Sequence, residues 1–399
     1  MRVASYPPHS IEASFSLRGP RIHEALNGFR LFFERFHLGE FWTPPWADKI
    51  SVNQLAIGIV KEMMKDCDRL QVGVSELRNG TTVVDCGAKV QGGYEAGELV
   101  TRIRFGGLAT AHVTDVTYDD YTIPTLFCQT NFPAIIGACQ FVWMGIVPPP
   151  ETLDHPFPAW ISGPAHVLAQ DPDWIFKEKL HYKDPHPEAG VVVVQTRNKA
   201  QGLPNRQFAD MMAKKCKIEP KNLYLIVTPS ESVAGVTHVA SSGIEDVFWR
   251  LTEYYRIPYS RIEHASGSTP LCPISPKVFT EPCVWEDDMI DYGGRAHVWL
   301  HSSEDMDLDM MAKDLVSENH GTFYGSSYYQ SQVRSFKPVD QLTQDEKNVE
   351  NWLRTRAATA TQGMWVVAEV SLSDTRTGRV FHAGKTNIGL IKQLLRNPW

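Results

Sequence analysis

Apolar and polar positions recur along this chain with two periods, one near two residues and one near 3.6. From Asn222 to Thr228 a short apolar run closes on Pro229 and predicts a buried strand. Ser230 to Gly235 is a small, polar crossing, and Val236 to Ala240 reads as a second short strand. Ser242, Gly243, Ile244 and Glu245 then open a helix, because Ile244, Val247, Phe248, Leu251 and Tyr255 follow at roughly helical spacing. Earlier, Ser51 followed by Gln54 is a capping box, and Leu55, Ile59, Met63, Cys67 and Leu70 form an apolar stripe behind it. The runs VGVSEL and TTVVDC flank Arg78-Asn79-Gly80, which predicts a hairpin. Gly92 to Gly97 (GGYEAG) breaks the chain and starts a helix that runs to about Ile103 and ends at Gly106-Gly107.

Residues 108–130 read as two strands, Pro133 to Val142 as a helix, Val191 to Gln195 as a buried strand and Pro204 to Cys216 as an amphipathic helix. Between them, Ile146 to Gly190 is proline-rich and irregular. Asp287 to Gly294 leads into the strand RAHVWLHS, with helices expected near 304–317 and 342–357. The chain closes with the strand MWVVAEVSLSD, a turn at Thr375 to Gly378, RVFHAG and a helix from Asn387. Strands and helices alternate without strict βαβ order, so the pattern predicts a mixed α/β (α+β) fold. Residues 1–49 differ: prolines, a candidate aromatic helix from His23 to His37, and the breaker Trp42 to Trp46 (WTPPW). They read as an N-terminal extension packed on a body spanning 50–395.

Composition narrows the classes. The 399 residues are 43% hydrophobic and 21% charged, as in soluble globular proteins, and suffice for two or three domains or one with lobes. A formal net charge of −7 argues against binding a nucleic-acid backbone. Seven scattered Cys, none spaced C-x-x-C, read as reduced or buried thiols of a cytoplasmic protein. No apolar run is long enough for a membrane span, and the N-terminus lacks signal-peptide order.

Two readings stand for Glu245: a carboxylate that orients or deprotonates water, or the closing member of a Ser242–Glu245 capping box. Glu95 is either a first-turn charge on the helix dipole or a contact for a cationic ligand. His166 and His238 sit beside small-residue loops and could line a pocket. His181, His186, His297 and His301 lack metal-site spacing with a carboxylate, so no metal is expected. The loops Ser162-Gly163-Pro164-Ala165 and Ser266-Gly267-Ser268-Thr269-Pro270 offer free N–H groups to a phosphate or a pterin edge. Walker, G-x-G-x-x-G and G-x-S-x-G motifs are absent.

A series of stretches, in order, resembles the methenyltetrahydromethanopterin cyclohydrolase family: SVNQLA (51–56), NGTTVVDCG (79–87), GGYEAG (92–97), GGLAT (106–110), SGPA (162–165), LPN (203–205), KNLYLIVTP (221–229), STPLCPI (268–274), DYGG (291–294) and TGRVFHAGKTN (377–387). The resemblance implies a two-lobed fold with a ligand pocket between the lobes and a cytoplasmic homo-oligomer, often a trimer. It implies no cofactor, with a tetrahydromethanopterin derivative as substrate in one-carbon metabolism. Glu245 falls on the family's catalytic glutamate. Ser242, His238, Glu95, Ser162, Gly163, Pro164, His166, Ser268 and Thr269 are the expected substrate contacts. The chain departs from the pattern where the family has arginine and this sequence has Ser242, and again at His166 after SGPA. An Asp-His pair is replaced by Asn131-Phe132, and a lysine of archaeal members falls on Phe141 or Val142. Loss of the arginine is expected to raise the Glu245 pKa and loosen its position. The alternatives are a non-catalytic pterin-binding or assembly paralogue, or a hydrolase of another cyclic amidine.

Overall fold

The structure, a computed structural model, describes residues 41–140, 159–196, 199–274, 284–319, 324 and 366–396. The expected helices at 23–37 and 342–357, and Phe141 and Val142, lie outside the described residues.

Two sheets organise the described chain. The first has five strands in the order β1 (Gly73–Glu76), β2 (Thr82–Asp85), β7 (Leu223–Pro229), β6 (Gly190–Thr196), β5 (Trp160–Ser162). Its three inner strands are parallel and both edges antiparallel. Val191 and Val193 face one side, against helices α1 (Val52–Lys65) and α2 (Tyr94–Arg104). Val192 and Val194 face the other, against α3 (Arg206–Cys216). A parallel strand covered on both faces needs apolar residues at every position, which is why the valine run is unbroken.

The second sheet has six strands in the order β11 (Val380–Gly384), β10 (Glu369–Asp374), β9 (Arg295–Leu300), β8 (Ile262–Pro270), β4 (Tyr121–Thr130), β3 (Ala109–Tyr118). Only β9 and β10 pair in parallel. Ala265, Ala296, Val298, Leu300, Val370 and Leu372 on one face bury against Ile244, Val247 and Phe248. Those three belong to helix α5 (Ser242–Trp249), which follows α4 (Val233–Val239). Farther on lie α6 (Val284–Gly293), α7 (Leu308–Asp314) and α8 (Ile388–Arg396). The fold is mixed α/β, with the two lobes built on the two sheets. No helix among the described residues is long and apolar enough to cross a membrane.

Most expected elements appear, with two corrections. Val236 to Ala240 is not a strand but lies largely within α4. Strand β7 already has β2 and β6 as neighbours, so a further strand beside it has no free ladder. A helix satisfies its own backbone, and Ser232 caps it by accepting from the Gly235 N–H at 2.9 Å. Gly235 packs so closely on Pro229 that an added Cβ would stand 1.9 Å from the Pro229 carbonyl oxygen. The second correction concerns one member of the first apolar stripe: Ile59, Met63 and Leu70 are buried as expected, but Leu55 is not. Leu55 is 43% exposed, and the buried stripe is Val52, Ala56, Ile59, Val60 and Met63. Ser51 does cap α1, accepting from the Gln54 N–H at 3.0 Å.

Trp42 and Trp46 pack on the body. Trp42 bridges to Leu180, and Trp46 lies edge-on to Tyr182 and Phe132.

Candidate active site

Five side chains from three elements meet at the start of α5. Arg104 comes from the last turn of α2, and Gln140 from the wide turn Ile136–Gln140; Ser241, Ser242 and Glu245 come from α5 and its cap. Their meeting is set by a close crossing. Gly97 of α2 lies against α4, where a Cβ would stand 2.5 Å from Thr237 Cβ. That approach brings the end of α2 under the residues that follow α4.

Glu245 is 4% exposed and Arg104 2% exposed. Arg104 Nη2 donates to Glu245 Oε2 at 2.6 Å and to the Gln140 carbonyl at 3.3 Å. Its Nη1 donates to Ser242 Oγ at 2.9 Å and to Ser241 Oγ at 3.4 Å. Gln140 Nε2 donates to the Ser241 carbonyl at 3.2 Å, which fixes the orientation of its amide. Two buried atoms of the cluster, Arg104 Nε and Gln140 Oε1, have no partner.

Burial pushes the Glu245 carboxyl above its ordinary value, while the Arg104 charge and the Ser242 hydroxyl pull it down. The net shift is upward, as the sequence suggested, but its cause is burial and not an absent guanidinium. The position is not loosened either: Arg104, from a different helix, stands beside the carboxylate. The capping reading is overturned as well. Ser241 is the N-cap of α5 and no side chain caps the first turn.

His238 is buried one turn before the cluster. Its Nδ1 lies 3.2 Å from the Gly235 carbonyl, and its Nε2 lies 3.1 Å from Thr228 Oγ1. A carbonyl only accepts, so Nδ1 carries the proton and Nε2 accepts. Burial, then the Arg104 charge, push this imidazole well down, so it stays neutral.

The Ser162–Ala165 loop joins the site at one remove. The Gly163 N–H donates to the Cys139 carbonyl at 2.6 Å, next to Gln140. Ser162 pairs with Val193 in β5, and the Pro164 carbonyl accepts from Asn53. His166 is fully buried with neither ring nitrogen partnered, and burial lowers it to about 4.

Strand alternation separates the last pair. Thr269 Oγ1 stands 3.3 Å from where a Cβ on Gly243 would lie, on the α5 side of the sheet. Ser268 points the other way and lines an open cavity of about 500 Å³ with Phe127, Arg295 and His297. That cavity lies across the sheet from Glu245. Glu95 is not brought to the site: it pairs with Arg69 on the surface at the far end of α2.

Arg104 and Gln140 escaped the sequence reading. The signal for Arg104 was present, since it shares the buried face of α2 with Ala96, Val100 and Ile103. A buried arginine needs an anion. Gln140 is a lone polar residue in the run IIGACQFVWMG.

A family model described as Cyclohydrolase (MCH) matches residues 51–342. The methenyltetrahydromethanopterin cyclohydrolase of Methanothermobacter marburgensis is 31% identical over 347 residues, covering 86% of this chain and 98% of the relative. The enzymes of that name from Methanothermobacter thermautotrophicus and Methanocaldococcus jannaschii are each 30% identical, covering 86% and 87% of this chain and 98% of the relative.

Proposed function

The chain belongs to the methenyltetrahydromethanopterin cyclohydrolase family, and on that premise we propose that Glu245 is the carboxylate on which its reaction turns. The protein is a hydrolase of a cyclic amidine C–N bond. It interconverts 5,10-methenyl-tetrahydromethanopterin and the 5-formyl compound in one-carbon metabolism. The methenyl group is an amidinium-like cation, so a nearby carboxylate favours its approach and the charge of the transition state. Water adds at the bridging carbon and Glu245 takes its proton. The bond from that carbon to N10 then breaks as the adduct's hydroxyl gives up its proton and becomes the formyl carbonyl; N10 takes a proton, the formyl group stays on N5, and one proton is released overall.

The supporting observation is the 2.6 Å contact between Arg104 and Glu245. It holds the carboxylate toward the end of α2 and favours its charged form against burial. Ser242 fixes the guanidinium, His238 supports the turn, and the Ser162-Gly163-Pro164 loop with His166 and Thr269 forms the neighbouring walls. Water, a base and a proton donor complete the chemistry, so the reading takes no metal or prosthetic group. Cytoplasmic location and assembly as a homo-oligomer, a trimer in the family pattern, belong to the same proposal; a light-scattering mass of one chain would overturn the assembly.

The direct test is to mix purified protein with methenyl-tetrahydromethanopterin and follow the methenyl absorbance. Wild type should consume it, and Glu245→Gln should bind it without turnover while remaining folded at the assay temperature. Turnover by the folded Gln variant would refute the assignment.

A further inference from the structure

We propose that Arg104 is the positioning residue for Glu245, a guanidinium delivered from the end of α2 to orient the reacting carboxylate on α5. The proposal rests on the reading of Glu245 as the reacting group. Its own basis is the geometry of the guanidinium. The two terminal nitrogens do separate work: Nη2 holds Glu245 Oε2 at 2.6 Å, while Nη1 is held by Ser242 Oγ at 2.9 Å. The Gln140 carbonyl gives Nη2 a second acceptor at 3.3 Å. A planar fork gripped at both prongs has little freedom to swing, so the carboxylate it holds has little freedom either.

The neighbours leave this role to Arg104. His238, on α4, is buried and neutral. Asp246, next in α5, is pushed well up by burial and then by the charges of Glu245, Asp287 and Asp291, which favours its neutral form, so it does not compete with Glu245 for the guanidinium. Arg295 on β9 lines the cavity on the opposite face of the sheet with Glu369. Cys128 of β4 is buried, and burial pushes its thiol up to about 12, so it stays uncharged. Among the described residues, Arg104 is thus the cation that reaches Glu245 from the surrounding elements.

The sign of the pH effect follows. Glu245 works as a base only when charged, so the rate falls as pH drops through its pKa. The Arg104 charge lowers that pKa. Removing it moves the acid limb of kcat to higher pH.

The test compares Arg104→Gln, Glu245→Gln and the double variant Arg104→Ala/Ser242→Arg. Because Ser242 Oγ touches Nη1, an arginine at 242 can return a guanidinium to the vacated space. Arg104→Gln should lower kcat on the order of a hundredfold, leave KM nearly unchanged and move the acid limb upward. The double variant should move the limb back and recover part of kcat, which a purely structural role for Arg104 would not. An unmoved limb in folded Arg104→Gln, with Glu245→Gln inactive, overturns the proposal alone. Turnover by Glu245→Gln overturns the reading beneath it. If Arg104→Gln does not fold, the double variant decides: a wild-type limb supports the proposal, and a folded but inactive protein overturns it.

Discussion

At Glu245 three forces act on one carboxyl group. Burial favours its neutral form; the Arg104 charge and the Ser242 hydroxyl favour the ionised form. Burial is the largest, so the group stays above its ordinary value, which makes it a stronger base than an exposed carboxylate. Ser242 touches both partners only through its hydroxyl, so Ser242→Ala should shift the acid limb upward less than loss of Arg104 does, with kcat lower by about threefold to tenfold. A kcat loss equal to that of Arg104→Gln would contradict this ordering. The role of Glu245 came from the family resemblance alone, whereas its place in the first turn of a helix was legible from residue order. Arg104 was not, because its partner lies 141 positions away and a charged residue near a helix C-terminus reads first as a dipole complement.

Among elements, the crossing of α2 and α4 matters most for the site. Gly97 leaves no room for a Cβ, which would stand 2.5 Å from Thr237 Cβ and 3.0 Å from the Ala234 carbonyl oxygen. Gly97→Ala gains helix propensity but forces the helices apart, so a net loss of about 1–3 kcal/mol is expected by thermal melting. An unchanged or raised melting temperature would show that the crossing can yield. The turn between β10 and β11 gives a second case. Burial pushes the Asp374 carboxyl up, but bonds from Thr377 Oγ1, the Ser302 N–H and hydroxyl, and the Arg376 N–H outweigh it and hold it at about 2. Its folded pKa lies below the unfolded value of about 3.9. Its contribution, about 2 kcal/mol, is therefore present above about pH 4 and lost as pH falls through about 2. Asp374→Asn should flatten the acid side of the stability curve in denaturant titrations between those limits, and an unchanged slope would refute it. Element type was legible where periodicity was strong, as in β6 and α3. It failed at Val236–Ala240 because β-branched residues favour strands locally, whereas the crowded sheet decides globally. It misplaced Leu55 at the start of α1 because Ala56, a small residue, takes the buried position there that a search for large side chains assigns to Leu55.

Over the whole molecule, the Arg104–Glu245 pair joins the two lobes. Arg104 ends a helix whose apolar face packs on the five-stranded sheet and which also runs beside β3, and Glu245 lies on one packed against the six-stranded sheet. Removing one partner strands a buried charge, at a cost of about 3–5 kcal/mol. The two single losses should therefore not add: Arg104→Ala combined with Glu245→Gln should destabilise less than their sum, by about 0.5–3 kcal/mol. Strict additivity in chemical denaturation would show that the pair does not couple the lobes. Lobes built on two sheets could be expected from the family motifs, but a tie between residues on different lobes leaves no periodic trace in sequence. The claim beneath all of this is that a buried, guanidinium-held Glu245 takes the proton of the attacking water. The pH dependence of kcat for methenyl loss by wild-type enzyme, set beside Glu245→Gln, tests it most directly. The account predicts an acid limb above the ordinary carboxylate range that vanishes with turnover in the Gln variant. A limb in the ordinary range, or the same limb in both proteins, would contradict it.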